Sequence, residues 1–100
     1  MKGKWRSIGL PDQVGRRVIV TGANTGLGFA AARVLAGAGA DVVLAVRDLD
    51  KGVAASLRIR REFDEALVRV VHLDLASLAS VEEFATAQLA QGPLDLLVNN

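Results

Sequence analysis

The sequence predicts an α/β fold built on a parallel sheet, and three observations carry that prediction. Short β-branched, apolar runs alternate with segments of helical period along the chain, as in sheets whose strands are joined through helices. The runs are continuous rather than alternating apolar and polar, as in Val18-Ile19-Val20, which is how strands covered on both faces read. Hydrophobic residues make up 51% of the chain and aromatics only 4%, a composition suited to close helix-on-sheet layers.

Residues 1 to 15 mix Gly3, Gly9, Pro11, Asp12 and Gly15 with little periodicity. They are expected to form a lead-in whose apolar Trp5, Ile8 and Leu10 dock on the domain. The domain proper is expected over residues 16 to 100. Arg17 to Thr21 reads as the first strand, Gly28 to Gly37 as a helix and Asp41 to Val46 as the second strand. Asp48 is placed to N-cap a helix that carries Val53, Leu57 and Ile59 to about Phe63, followed by a strand from Leu67 to His72. Ser80, with Glu83 three residues on, has the spacing of a capping box for a helix with Val81, Phe84, Ala85 and Leu89 on its apolar face. Gly92-Pro93 ends that helix, and Leu94 to Val98 reads as a fourth buried strand.

Right-handed crossovers through these helices give a doubly wound parallel sheet of order 3-2-1-4, the first half of a Rossmann-type domain. In that half-domain Leu96, Leu97 and Val98 form an open apolar edge, and such an edge favours aggregation. The expectation is therefore a truncated domain, the N-terminal part of a longer protein.

Composition excludes several functions. Twelve basic residues against eleven acidic ones leave a net charge of +1, with no basic stripe to track a nucleic acid. Without cysteine neither a disulfide framework nor a thiolate metal site can form. The start Met1-Lys2-Gly3-Lys4-Trp5-Arg6-Ser7 is charged and is not followed by a signal-peptide apolar run, and no stretch reaches membrane-spanning length. A soluble, cytoplasmic chain with no membrane partner is expected.

The segment Thr21-Gly22-Ala23-Asn24-Thr25-Gly26-Leu27-Gly28 joins the first strand to an alanine-rich helix. A glycine-rich turn there lets backbone N–H groups approach an anion and turns the positive end of the helix dipole towards it. The bland alternative is a turn whose glycines serve only tight packing. Both the Gly-x-Gly-x-x-Gly spacing and the Gly-Lys-Ser/Thr ending of a triphosphate-binding loop are missing. The pattern instead runs TGxxxGxG, which resembles the short-chain dehydrogenase/reductase family. That resemblance implies that Gly22, Asn24, Thr25, Gly26 and Leu27 line the cofactor's phosphates and ribose, and that Gly28 permits close helix packing.

Arg47 follows the second strand directly, where a dinucleotide fold carries an acidic residue for NAD or a basic one for the 2′-phosphate of NADP. Arginine favours NADP over NAD. Lys51, four residues on, is within reach of the same phosphate. The alternative is a solvated basic pair neutralised by Asp48 and Asp50. The stretch Val46-Arg47-Asp48-Leu49-Asp50-Lys51-Gly52 resembles the retinol-dehydrogenase-like branch of the family. Asp74-Leu75 resembles the family's Asp-Leu pair, which implies an aspartate at the adenine amino group and a backbone N–H at its ring; Asp74 could equally cap a turn. The final Asn99-Asn100 resembles the start of the Asn-Asn-Ala-Gly motif, which implies that Asn99 braces the central strands and Asn100 lines the cofactor cleft.

His72, the single histidine, has no partners for a metal site or a nucleophilic triad and reads as structural. Glu62, Asp64 and Glu65 fall at a charged helix end and read as solvated surface rather than an acid–base pair. The resemblance implies hydride transfer between a nicotinamide and an alcohol or carbonyl carbon, with a Tyr-x-x-x-Lys pair and a serine as the catalytic group. The chain contains no tyrosine, and Ser77 and Ser80 lie on the wrong segment, so no catalytic residue is assigned. The expectation is the cofactor-binding half of an NADP-dependent oxidoreductase acting on a small-molecule alcohol or carbonyl, homo-oligomeric in full-length form. The alternative is a non-catalytic NADP-binding or interaction module.

Overall fold

A computed structural model describes residues 11–24 and 26–100. The chain runs β1 (Arg17–Thr21), α1 (Gly26–Gly37), β2 (Asp41–Val46), α2 (Leu49–Glu62), β3 (Leu67–His72), α3 (Leu78–Leu89) and β4 (Leu96–Val98). The strands form one sheet in the order β3-β2-β1-β4, every neighbouring pair parallel. This is the Rossmann-like α/β order that the alternation of apolar runs and helices predicts. Trp5, Ile8 and Leu10 lie outside the described residues. Before β1, the Gln13 N–H donates to the Ala38 carbonyl at 2.9 Å.

Because side chains alternate across a strand, β1 serves two cores. Val18 and Val20 join Val42, Leu44 and Val68 beneath Ala32 and Ala36 of α1 and Ala55 and Ile59 of α2. Ile19 joins Val43 and Ala45 on the other face, against Val81 and Phe84 of α3. The alanines of α1 and α2 let both helices approach the sheet closely. Phe63 closes the end of the first core over Gly37, where an added Cβ would lie 2.6 Å from its Cζ. Between α1 and α2, Arg33 donates to Glu62 (Nε to Oε1, 2.6 Å). That bond holds the arginine pKa above its ordinary value. Arg58 lies over the Phe29 ring, 4.3 Å from its centroid.

Arg17 is buried at the start of β1. Its guanidinium donates to the carbonyls of Gln88 (3.2 Å) and Gly92 (3.4 Å), placing a cation at the negative end of α3. Its backbone N–H donates to Asp95 Oδ2 at 2.8 Å. These bonds tie β1 to the connection that leads into β4.

The structure corrects five details of the expected elements. Helix α1 starts at Gly26 rather than Gly28, because first-turn N–H groups need no intrahelical partner and a helix can open on poor helix formers. Helix α3 is capped by Ser77, not Ser80: the Ser77 hydroxyl accepts from the Ser80 N–H at 3.2 Å, while Ser80 Oγ accepts from the Asp74 N–H at 2.9 Å. The apolar face of α3 is narrower than expected, since Ala85 is exposed and Leu89 is 80% exposed. Val53 and Leu57 of α2 likewise face outward, and Ile59 carries that helix's large buried side chain. Finally β4 spans Leu96–Val98 and is not buried, Leu96 and Leu97 being 42% and 53% exposed. β4 is an open edge of the sheet, with β1 as its neighbour.

Candidate functional site

Parallel pairing puts the carboxyl ends of all strands at one end of the sheet, and the loops that follow them meet there. The order changes direction between β1 and β4, and ligands gather at such switch points in open α/β sheets. A cleft of about 470 Å³ opens at this end. It is lined by Thr21, Gly22 and Asn24 at and after the end of β1, by Ala45, Arg47, Asp48 and Lys51 at and after β2, by Leu73 to Ala76 after β3, and by Asn100 after β4.

The turn after β1 is shaped by close approach. Gly22 has φ +59° and Gly26 φ +60°, a region that L side chains rarely enter. Gly28, the third glycine, sits on the inner side of α1: a Cβ there would lie 2.5 Å from the Gly22 carbonyl oxygen and 2.7 Å from Asn100 Nδ2. Asn100 clamps the same turn, its Nδ2 donating to the Gly22 carbonyl at 3.1 Å. Thr21 joins the two central strands at this point, its hydroxyl donating to Asn99 Oδ1 (3.1 Å) and accepting from the Asn100 N–H (3.0 Å). Beside this turn, α1 carries no acidic residue in its first turn, so nothing there opposes the positive end of its dipole.

The residues after β2 supply charge. Asp48 caps α2, its Oδ1 accepting from the Lys51 N–H at 3.2 Å. Arg47 and Lys51 are exposed on the cleft. Among the described residues the ion pairs are Arg33–Glu62 and Arg69–Asp41, so neither Asp48 nor Asp50 forms an ion pair with these two cations. After β3, Asp74 caps a turn, its Oδ1 accepting from the Ala76 N–H at 3.0 Å. Its Oδ2 has no hydrogen-bond partner among the described residues, and Asp74 lines the cleft with Leu75.

Of the expected site residues, Gly22, Asn24, Arg47, Lys51, Asp74, Leu75 and Asn100 come together on the cleft. Gly26, Leu27, Gly28 and Asn99 do not line it. Leu27 is exposed beside a separate apolar groove that also includes Val34 and Val98. Thr25 lies outside the described residues. Sequence reasoning missed Thr21, Ala45, Asp48, Leu73 and Ala76 as lining residues; the hydroxyl of Thr21 directly before the glycine turn was the available signal. Among the described residues no cluster of His, Asp or Glu could hold a metal ion, and no helix is long and apolar enough to cross a membrane. His72 is exposed at the end of β3.

The donor set fits a phosphate-bearing dinucleotide. A turn opened by Gly22 and closed by Gly26, both at positive φ, beside a helix start without acidic residues, suits a diphosphate. Two unpaired cations suit a further phosphate, and a half-used carboxylate suits an amino donor.

The family model described as short chain dehydrogenase matches residues 16–100. Dehydrogenase/reductase SDR family member 13 of Bos taurus is 50% identical over 93 residues, covering 92% of this chain and 25% of that protein. Retinol dehydrogenase 13 of Homo sapiens is 47% identical over 87 residues, covering 86% of this chain and 26% of that protein. A solved metagenomic short-chain oxidoreductase in complex with NADP superposes with a TM-score of 0.80 at 39% identity, over 87% of this chain and 39% of that one. The chain thus spans about a quarter of the length of the curated relatives it matches. With the family match extending over every strand and helix of the sheet, the chain belongs to the short chain dehydrogenase family and is retinol-dehydrogenase-like within it.

Proposed function

We propose that the cleft binds NADP(H), and that the whole protein is an NADP-dependent oxidoreductase acting on a small or lipophilic alcohol or carbonyl compound. The observation that carries this reading is the pair Arg47 and Lys51, exposed together on the cleft after β2 with no ion-pair partner among the described residues. A basic residue at that place suits the 2′-phosphate that distinguishes NADP from NAD. The N–H groups of the glycine turn and of the start of α1 hold the diphosphate. Asp74 Oδ2 accepts from the adenine amino group, Asn24 and Asn100 border the intervening ribose and diphosphate, and Gly28 keeps α1 close enough for the turn to form. When bound, the nicotinamide gives or takes the hydride. The substrate class is supported by the name of the relative Retinol dehydrogenase 13.

The chain itself contains no tyrosine and binds the cofactor without catalysis. Purified chain mixed with NADPH and a panel of aldehydes and ketones is expected to quench or enhance NADPH fluorescence on binding, with no loss of NADPH over time. Substrate-dependent NADPH oxidation that disappears in Arg47→Ala would overturn the division of roles. The second reading is a non-catalytic NADP-binding or interaction module, and a soluble, NADPH-binding oligomer in sedimentation is the result that would support it.

A further inference from the structure

We propose, resting on the NADP reading above, that Asp48 sets the strength of cofactor discrimination: it positions Lys51 and, through its own charge, weakens the hold of the cleft on the 2′-phosphate. Asp48 lies between Arg47 and Lys51 in sequence and lines the same cleft. Its backbone is extended (φ −102°, ψ 106°), its Oδ1 accepts from the Lys51 N–H at 3.2 Å, and its carbonyl accepts from the Gly52 N–H at 3.0 Å. The carboxylate therefore cannot leave the cleft without uncapping α2.

The helix start is fixed as firmly as the cap. A Cβ on Gly52 would lie 2.6 Å from Val46 Cγ2 and 2.7 Å from Val70 Cγ1, so the first turn of α2 rests directly on β2 and β3. Asp48 forms no ion pair with either cation among the described residues; its partner is the helix start alone. Asparagine and serine cap helices about as well as aspartate does, so capping does not require the negative charge. What the charge adds is repulsion towards a phosphate held in the same cleft. Both cofactors carry the diphosphate, but only NADPH adds a phosphate beside Arg47 and Lys51, so the repulsion weighs more on NADPH and the cleft discriminates less strongly than Arg47 and Lys51 alone would make it.

The test is titration of the 100-residue chain with NADPH and with NADH, for wild type, Asp48→Asn and Asp48→Ser, with thermal midpoints measured alongside. Both variants are expected to bind NADPH about three- to tenfold more tightly at low salt, with a smaller gain for NADH. Their midpoints are expected to stay close to wild type, because the cap is kept. NADPH binding that is unchanged or weaker in both folded variants overturns the inference. Arg47→Ala separates it from the reading on which it rests. If that variant leaves NADPH binding unchanged, both fall; if it weakens NADPH binding while Asp48→Asn fails to strengthen it, only the role of Asp48 falls.

Discussion

Replacing Arg47 with alanine is expected to weaken NADPH binding by about 10- to 100-fold while leaving NADH binding within about twofold of wild type. Arg47 stands exposed on the cleft after β2, and among the described residues no carboxylate competes for it. A hydrogen bond between a guanidinium and a phosphate is charge-assisted at both ends, worth roughly 1.5–3 kcal/mol. The loss is confined to NADPH because NADH lacks the group that Arg47 meets. Lys51, a point charge on a flexible stem, compensates only in part, so Arg47→Ala combined with Lys51→Ala is expected to lose the preference altogether. Fluorescence titration with both cofactors checks this, and equal loss for NADPH and NADH would show that Arg47 supports the fold rather than the phosphate.

Gly28→Ala is expected to destabilise the chain by about 1–3 kcal/mol and to abolish cofactor binding with it. Two effects compete at this position. Alanine is the better helix former by roughly 1 kcal/mol. Against it, the added Cβ meets the Gly22 carbonyl oxygen at 2.5 Å and Asn100 Nδ2 at 2.7 Å. The first of these neighbours is backbone and cannot rotate away, so either α1 lifts from the sheet or the turn at Gly22 is pushed out of shape. The clash wins, and both outcomes displace the N–H groups at the carboxyl end of β1. Urea denaturation and NADPH titration of the same sample check this; a variant as stable as wild type would mean that α1 has room to move at no cost.

The bounds of β1 and β2 were legible because a strand buried on both faces leaves a continuous apolar run, cut off sharply where it meets a charged or turn residue, whereas β3, the other edge of the sheet, keeps its apolar residues around an exposed Arg69. Helix starts were harder to read. Ser80 and Glu83 have the spacing of a capping box, yet Ser77 caps the helix and the Ser80 hydroxyl turns back to the Asp74 N–H. Two serines three residues apart offer two registers, and only the three-dimensional path of the loop after β3 selects between them. Exposure of β4 was legible as an edge but not as a burial pattern, since an apolar run has the same sequence with or without a neighbouring strand.

The candidate site was legible where it depends on topology. Parallel strands send their carboxyl ends to one side, so Gly22, Arg47, Asp74 and Asn100 converge although they are far apart in the chain. It was not legible where a side chain has two possible uses. Asp48 could have paired with Arg47, yet its carboxylate caps α2, and Asp74 caps a turn with one oxygen while the residue lines the cleft. Leu27, implied by its motif to line the cofactor, is exposed at the start of α1 on a groove shared with Val98, Asn99 and Asn100.

The most direct test of NADP binding by this cleft is equilibrium dialysis of the wild-type chain against NADPH and NADH in parallel, at the same protein concentration and low salt. Binding of NADPH at least about tenfold tighter than NADH is the expected result. Absence of binding by a folded chain, or NADH bound as tightly as NADPH, would contradict it.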